Sequence, residues 1–366
     1  MNAAMPGPLH GLTIVEMAGI GPAPFAAMML ADHDAEIIRV EREGLIGIPN
    51  DPLLRSRRSI ALDLETEAAR EIVRKLSARS DGLIEGYRPG VMERLGLGPD
   101  ALVKDNPGLV YGRVTGWGQQ GPLAAVAGHD VNYLSITGLL HGIGPKERPV
   151  VPINYLADFA GGGMMLAFGM VAALLAVQRG GQGQVIDCAM SDGAALTGAL
   201  TYGMRAAGMW KEERESNLLD GGDSAYGIYR CSDGKFLAVG AIEPQFRDAL
   251  FEGLGLAGDA SKVQVARTIS ARTRDEWVNH FAGTDACVAP VLTLEEAPNH
   301  PHNRARETFI DLDGVIQPGP APRFSGAERA KPTPPREVGE DGEAILQELG
   351  YSAGEIETFR REGTLL

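Results

Sequence analysis

Two short segments carry side chains that could move a proton. Ala127-Gly128-His129-Asp130-Val131-Asn132-Tyr133 sets an imidazole beside a carboxylate, directly after a glycine. Tyr155-Leu156-Ala157-Asp158-Phe159-Ala160 places a second carboxylate at the entrance of a charge-free stretch. Imidazole and carboxylate are common general acid–base groups, with unperturbed pKa values of about 6.5 and about 3.9. Each also has a structural use. Asp130 opens an apparent helix over 131–141, where a negative charge complements the macrodipole. His129 can serve as a hydrogen-bonded turn residue. Asp158 can cap the segment behind it, although a carboxylate entering an apolar stretch must be paired or functional. Glu243, in Gly240-Ala-Ile-Glu-Pro-Gln245, follows a hairpin signal and precedes a helix, again a capping position.

A second chemistry is anion binding. Arg55-Ser56-Arg57-Arg58 concentrates positive charge in an acidic chain, with Arg39 and Arg88 in other junction regions. The planar guanidinium fork suits phosphate. Ligands of open α/β sheets bind near the carboxyl ends of strands, where Arg39 and Arg88 are expected. A solvated surface loop is the plainer use of the 55–58 cluster. Gly19-Ile20-Gly21 imitates the start of a dinucleotide fingerprint, but Pro24 replaces its third glycine. That favours a proline-opened helix after a tight turn. His300-Pro301-His302 has no companion ligands at a recognised spacing, so no metal site is expected.

These groups sit on a chain of 366 residues, 44% of them hydrophobic, enough for a sizeable core and more than one domain. The net charge is −14, from 34 basic and 48 acidic residues, which excludes nucleic acid binding by overall field. Cys188, Cys231 and Cys287 are widely spaced and form no disulfide framework, pointing to a reducing cytoplasm. No signal peptide is read at the start. The apolar part of the charge-free stretch, 164–177, suits a buried helix better than a membrane span.

The elements that must position the groups read as alternating strands and helices. Strands are expected at 12–18, 36–40, 82–85 and 109–115. Helices are expected at 25–32 and 65–77. That alternation predicts a parallel α/β sheet. After residue 187 the pattern changes: 226–231 and 235–240 flank Ser232-Asp233-Gly234 as a hairpin. A proline-rich connector over 318–335 leads to helical segments at 343–349 and beyond Ser352.

The chain resembles the alpha-methylacyl-CoA racemases of the family III CoA-transferase superfamily. The resemblance is carried in order by EMAGIGPAPFAAMML, EGYRPGVMERLGLGP, TGWGQQGP, AGHDVNY, LADFAGGG, GQGQVIDCAM, VGAIEPQF, DACVAPVL and ILQELGYSAGEI. It implies a Rossmann-like large domain drawn from both chain ends (1–187 and 301–366), linker helices over 188–221 and a small α+β domain over 222–300. It also implies an interlocked homodimer. It makes His129 and Asp158 the acid–base pair that inverts the α-carbon of a 2-methylacyl-CoA thioester through an enolate. Glu243 becomes the acid that hydrogen-bonds His129 across the interface. Arg39, Ser59, Ile60, Ala61, Leu62 and Arg88 become CoA contacts. Gly128, Asp130, Val131, Asn132 and Tyr133 would flank the thioester, and amides near Asp130 or Gly161 would face the enolate oxygen. CoA enters as part of the substrate, and no separate cofactor is implied. One departure is Asp223-Ser224-Ala225-Tyr226, where racemases tend to carry Ala-Pro before two aromatics; this bears on acyl preference. The alternative within the superfamily is a CoA transferase with Asp158 as nucleophile.

Overall fold

A computed structural model describes residues 5–42 and 48–366, which form two compact units. Unit 1 comprises 5–42, 48–137, 153–197 and 307–366. Its centre is a six-stranded parallel sheet of β1 (Thr13–Met17), β2 (Glu36–Glu41), β3 (Arg57–Ala61), β4 (Gly82–Glu85), β5 (Val110–Thr115) and β6 (Val185–Ala189). The order is β3-β2-β1-β4-β5-β6, the doubly wound arrangement that switches direction between β1 and β4.

Both faces of the sheet are covered, because successive strand residues point to opposite sides. From β4, Leu83 joins a core with Ile72 and Leu76 of helix α2 (Glu67–Ala78) and with Ile345 and Leu346. Gly82 faces the other way: a Cβ there would lie 2.7 Å from Met170 of helix Met165–Gln178. Gly112 on β5 makes room for the same side chain, with its own Cβ position 2.7 Å from the Met170 sulfur. The two glycines notch the sheet so that this apolar helix can seat. The chain's end closes on the sheet edge, where the Leu366 amide donates to the Ala61 carbonyl at 3.0 Å.

The helical run Tyr155–Gln178 has mean hydropathy 2.0 over its most apolar 18-residue window, of which 44% is buried. Its first ten residues, Tyr155–Met164, are π-helical. Proline-opened helix α1 (Pro22–Ala31) follows Gly21, whose φ of +70° favours glycine.

Unit 2 comprises 138–152 and 198–306. Strands β7 (Tyr226–Arg230), β8 (Phe236–Gly240) and β9 (Val288–Val291) pair antiparallel, and Gly234 at φ +81° turns the first hairpin. Tyr229, Leu237, Leu250, Phe251, Val265 and Trp277 share its core. The unit boundaries differ from those drawn on the sequence. Residues 188–197 stay with the large unit, because helix Met190–Thr197 packs on the π-helix; residues 138–152 join the small unit, where Arg214 donates to the carbonyls of His141, Pro145 and Lys146.

Candidate active site

Four strand ends build one cavity in unit 1. β1 leads to Ile20-Gly21, β4 to Gly86-Tyr87-Arg88, β5 to Gly116-Trp117 and β6 to Met190. Residues from all four enclose about 480 Å³ together with Gly128, His129, Tyr133, Asn154 and Asp158. This is the carboxyl end of the sheet, beside its switch point, where open α/β folds bind ligands.

His129 stands in extended backbone just before helix Asp130–Ser135. Its amide donates to Asn132 Oδ1 at 3.1 Å, and its carbonyl accepts from the Asn132 and Tyr133 amides. The main chain is thereby fixed while the exposed imidazole is left to the cavity. Tyr133 supports the turn from behind: its hydroxyl donates to the Gly128 carbonyl, and its ring meets Trp117 edge-on at 4.8 Å. Glycine is required around that ring, since a Cβ at Gly116 or Gly128 would lie 2.1 or 2.7 Å from it. The helix is shorter than the sequence suggested. It ends at Ser135, and Gly138 at φ +80° precedes a separate turn of 3₁₀ helix.

Asp158 lies in the first half of the π-helix rather than at a cap. Asn154, four residues earlier, donates to its Oδ2 at 3.3 Å. Burial raises the Asp158 carboxyl above its ordinary range and the Asp130 charge adds to that, while the Asn154 bond and His129 oppose it. The three glycines that follow are packing glycines. A Cβ at Gly161 would lie 2.5 Å from the Ala194 amide nitrogen, and one at Gly193 would lie 1.9 Å from the Gly161 carbonyl oxygen. Gly161 therefore sits mid-helix against another backbone rather than at a helix start. The Asp130 and Val131 amides do open their own helix.

Asp130 also departs from its expected use. Its side chain leaves its own helix and accepts the Ala157 and Asp158 amides through Oδ2, at 2.7 and 2.8 Å. It is 4% exposed.

The arginine cluster is not an anion site. Arg55 binds Asp32 at 2.9 Å, Arg57 binds Glu16 at 3.1 Å and Arg58 binds Glu348 at 2.8 Å. Residues 57 and 58 belong to β3, whose charged start hid the strand. Arg39 is likewise buried, held by Glu16 and Glu41, with Ser59 bonded to Glu41. Ser59, Ile60 and Ala61 lie within β3 as buried sheet residues. Leu62 lines a second cavity of about 710 Å³ across the switch point, with Tyr87, Arg42, Arg70 and Arg94. Arg88 and Gly128 line the His129 cavity, whereas Val131 and Asn132 stand beside it on their helix. Glu243 belongs to unit 2, at the N-cap of helix Pro244–Leu254; its carbonyl accepts the Phe246 and Arg247 amides, and its carboxylate is not a cap. Among the described residues, no group of three or more His, Cys, Asp or Glu side chains is placed to share a metal ion.

Sequence reasoning missed Asn154 and gave Trp117 no role. Asn154 was findable, because residues four apart face each other along a helix. Trp117 was not, since its partner Tyr133 is remote in sequence.

Known proteins extend this picture. The chain is 45% identical to mouse alpha-methylacyl-CoA racemase over 364 residues, covering 95% of each chain. It is 43% identical to the human protein of the same name, again over 95% of each. Among solved structures, a CAIB/BAIF family protein from Brucella suis superposes with a TM-score of 0.80 at 27% identity, over 94% of this chain and 100% of that one. Residues 9–342 match CoA-transferase family III. The chain therefore belongs to CoA-transferase family III.

Proposed function

We propose that the chain is a racemase that inverts the α-carbon of 2-methylacyl-CoA thioesters, with His129 and Asp158 as the acid–base pair. The observation that carries this is the shared cavity, which both the His129 imidazole and the Asp158 carboxyl line, the latter raised by burial. A thioester α-proton is removed by one group to give an enolate, and the second group returns a proton from the opposite face. Such exchange needs the two groups to have similar proton affinity. Raising the Asp158 carboxyl toward the histidine range narrows the gap.

The CoA portion is read into the second cavity, on the other side of the switch point. Arg42 and Arg94 supply positive charge there, beside Glu41, Asp63 and Glu65, and Tyr87 lines both spaces. This replaces Arg39 and the 59–61 backbone, which are occupied within the sheet. Binding energy from that remote end orients the reacting carbon.

The reading includes a homodimer, in which a second copy brings Glu243 to His129. Unsatisfied apolar surface supports it: Met164, Phe168, Val171 and Leu175 form one exposed helical stripe. On this reading the helix is a core and interface element rather than a membrane span.

The test is incubation with a single-epimer 2-methylacyl-CoA in D₂O without an acceptor acid. Deuterium entry at the α-carbon with loss of optical purity is expected. No exchange, with CoA released as Asp158 takes the acyl group as a mixed anhydride that hydroxylamine traps, would instead identify a transferase and overturn the proposal.

A further inference from the structure

Asp130 has no place in the proton transfer just described, yet its side chain is among the most constrained near the site. It is 4% exposed and forms no cap on its own helix. Oδ2 accepts the amides of Ala157 and Asp158, at 2.7 and 2.8 Å. Oδ1 is buried without a hydrogen-bond partner. A π-helix leaves its first five amides without intrahelical acceptors, one more than an α-helix. Asn154, at the N-cap, supplies no side-chain bond to them, because its amide group is turned to Asp158 Oδ2.

We propose that Asp130 is a positioning residue for Asp158: its carboxylate fastens the first turn of the π-helix and sets a second negative charge against the carboxyl that exchanges the proton. The role rests on the racemase reading above. Two constraints converge on Asp158, one on its backbone from Asp130 and one on its side chain from Asn154. The orphaned oxygen is a buried acceptor kept at a cost, although the two amides need only the other one. Removing the anchor frees the turn that carries Asp158, and a misplacement of about 1 Å can cost about 10²-fold in rate.

The groups that face Asp158 are few. The titratable or charged residues lining its cavity are Tyr87, Arg88, His129 and Tyr133. Helix α1, packed on the π-helix, contributes none; helix Met190–Thr197 contributes only exposed Asp192. Burial is the largest cause of the raised Asp158 carboxyl, and Asp130 is the only charge among the causes that raises it.

The experiment compares the full-length protein with Asp130→Asn and Asp130→Ala. Asparagine keeps an oxygen for the two amides and removes the charge. The Asp158 carboxyl, followed by ¹³C NMR of labelled aspartate, then titrates at lower pH than in wild type, with KM for the thioester within about threefold. Alanine removes anchor and charge, and kcat falls about 10²-fold at unchanged KM. An unshifted Asp158 titration in Asp130→Asn overturns the proposal, as does a folded Asp130→Ala protein with kcat within twofold of wild type. If the alanine variant does not fold, the asparagine titration decides. If wild type itself exchanges no α-proton, the racemase reading fails separately, and the titration still judges the pairing of Asp130 with Asp158.

Discussion

Two charged regions flank the switch point of one sheet, and they treat charge in opposite ways. Around β2 and β3, Arg39 and Arg57 share Glu16, Arg39 also holds Glu41, and Arg55 holds Asp32. Cations and carboxylates are matched and buried. Around His129, the carboxylates are short of partners: Asp158 receives one side-chain bond, from Asn154, and Asp130 has an oxygen with none. The first region holds strands together. The second leaves buried polar groups unmatched, at some cost in stability, which is the usual mark of a functional site. The arginines that looked like a ligand site are scaffold, and the acid that looked like a cap holds the π-helix that carries Asp158.

The largest effects are expected around His129. His129→Ala or Asp158→Asn lowers racemisation by about 10²–10⁴-fold, while affinity for free CoA, measured calorimetrically, stays near wild type. The sign on stability is opposite to the sign on activity. The native Asp158 carboxyl is raised, so the folded state binds more protons than the unfolded state, and stability is lost as pH rises through the folded pKa. Asp158→Asn therefore unfolds at higher temperature than wild type above that range, and the gain disappears in acid. Equal melting temperatures at every pH would show that Asp158 is not raised.

On the scaffold side, Glu16→Gln strands two buried guanidinium groups, Arg39 and Arg57. The expected loss is about 3–5 kcal/mol in urea unfolding. Burial already holds Arg57 below its ordinary range with Glu16 present. A loss under about 1 kcal/mol would mean that the matched region is not the scaffold described.

Gly193→Ala tests how the scaffold reaches the site. The added methyl meets the Gly161 carbonyl and pushes the π-helix off its neighbour, costing about 1–3 kcal/mol and reducing kcat. Retained kcat would uncouple Asp158 from that contact. The smallest effect belongs to Arg58, whose pairs with Glu36 and Glu348 are partly exposed. Arg58→Ala changes stability by about 0–1 kcal/mol, and less in high salt.

Local signals in the chain were enough for most of the framework. Alternating strands and helices, the Ser232-Asp233-Gly234 hairpin and the Ser352–Glu355 capping box are all found where the pattern placed them. What failed was non-local. β3 was hidden because Arg57 and Arg58 make a poor strand signal until Glu16 and Glu348 are beside them. The helix after His129 stopped early because Gly138 takes a left-handed turn inside an apolar run. The use of Asp130 was invisible because its partners, the amides of Ala157 and Asp158, lie 27 and 28 residues away.

In the proposed mechanism, His129 and Asp158 serve opposite faces of one carbon. This is tested most directly by deuterium wash-in from each epimer of a 2-methylacyl-CoA separately, in His129→Ala and in Asp158→Asn. Complementary losses are expected, with each variant failing to remove the α-proton from a different epimer. Wild-type wash-in from both epimers in either variant would contradict it.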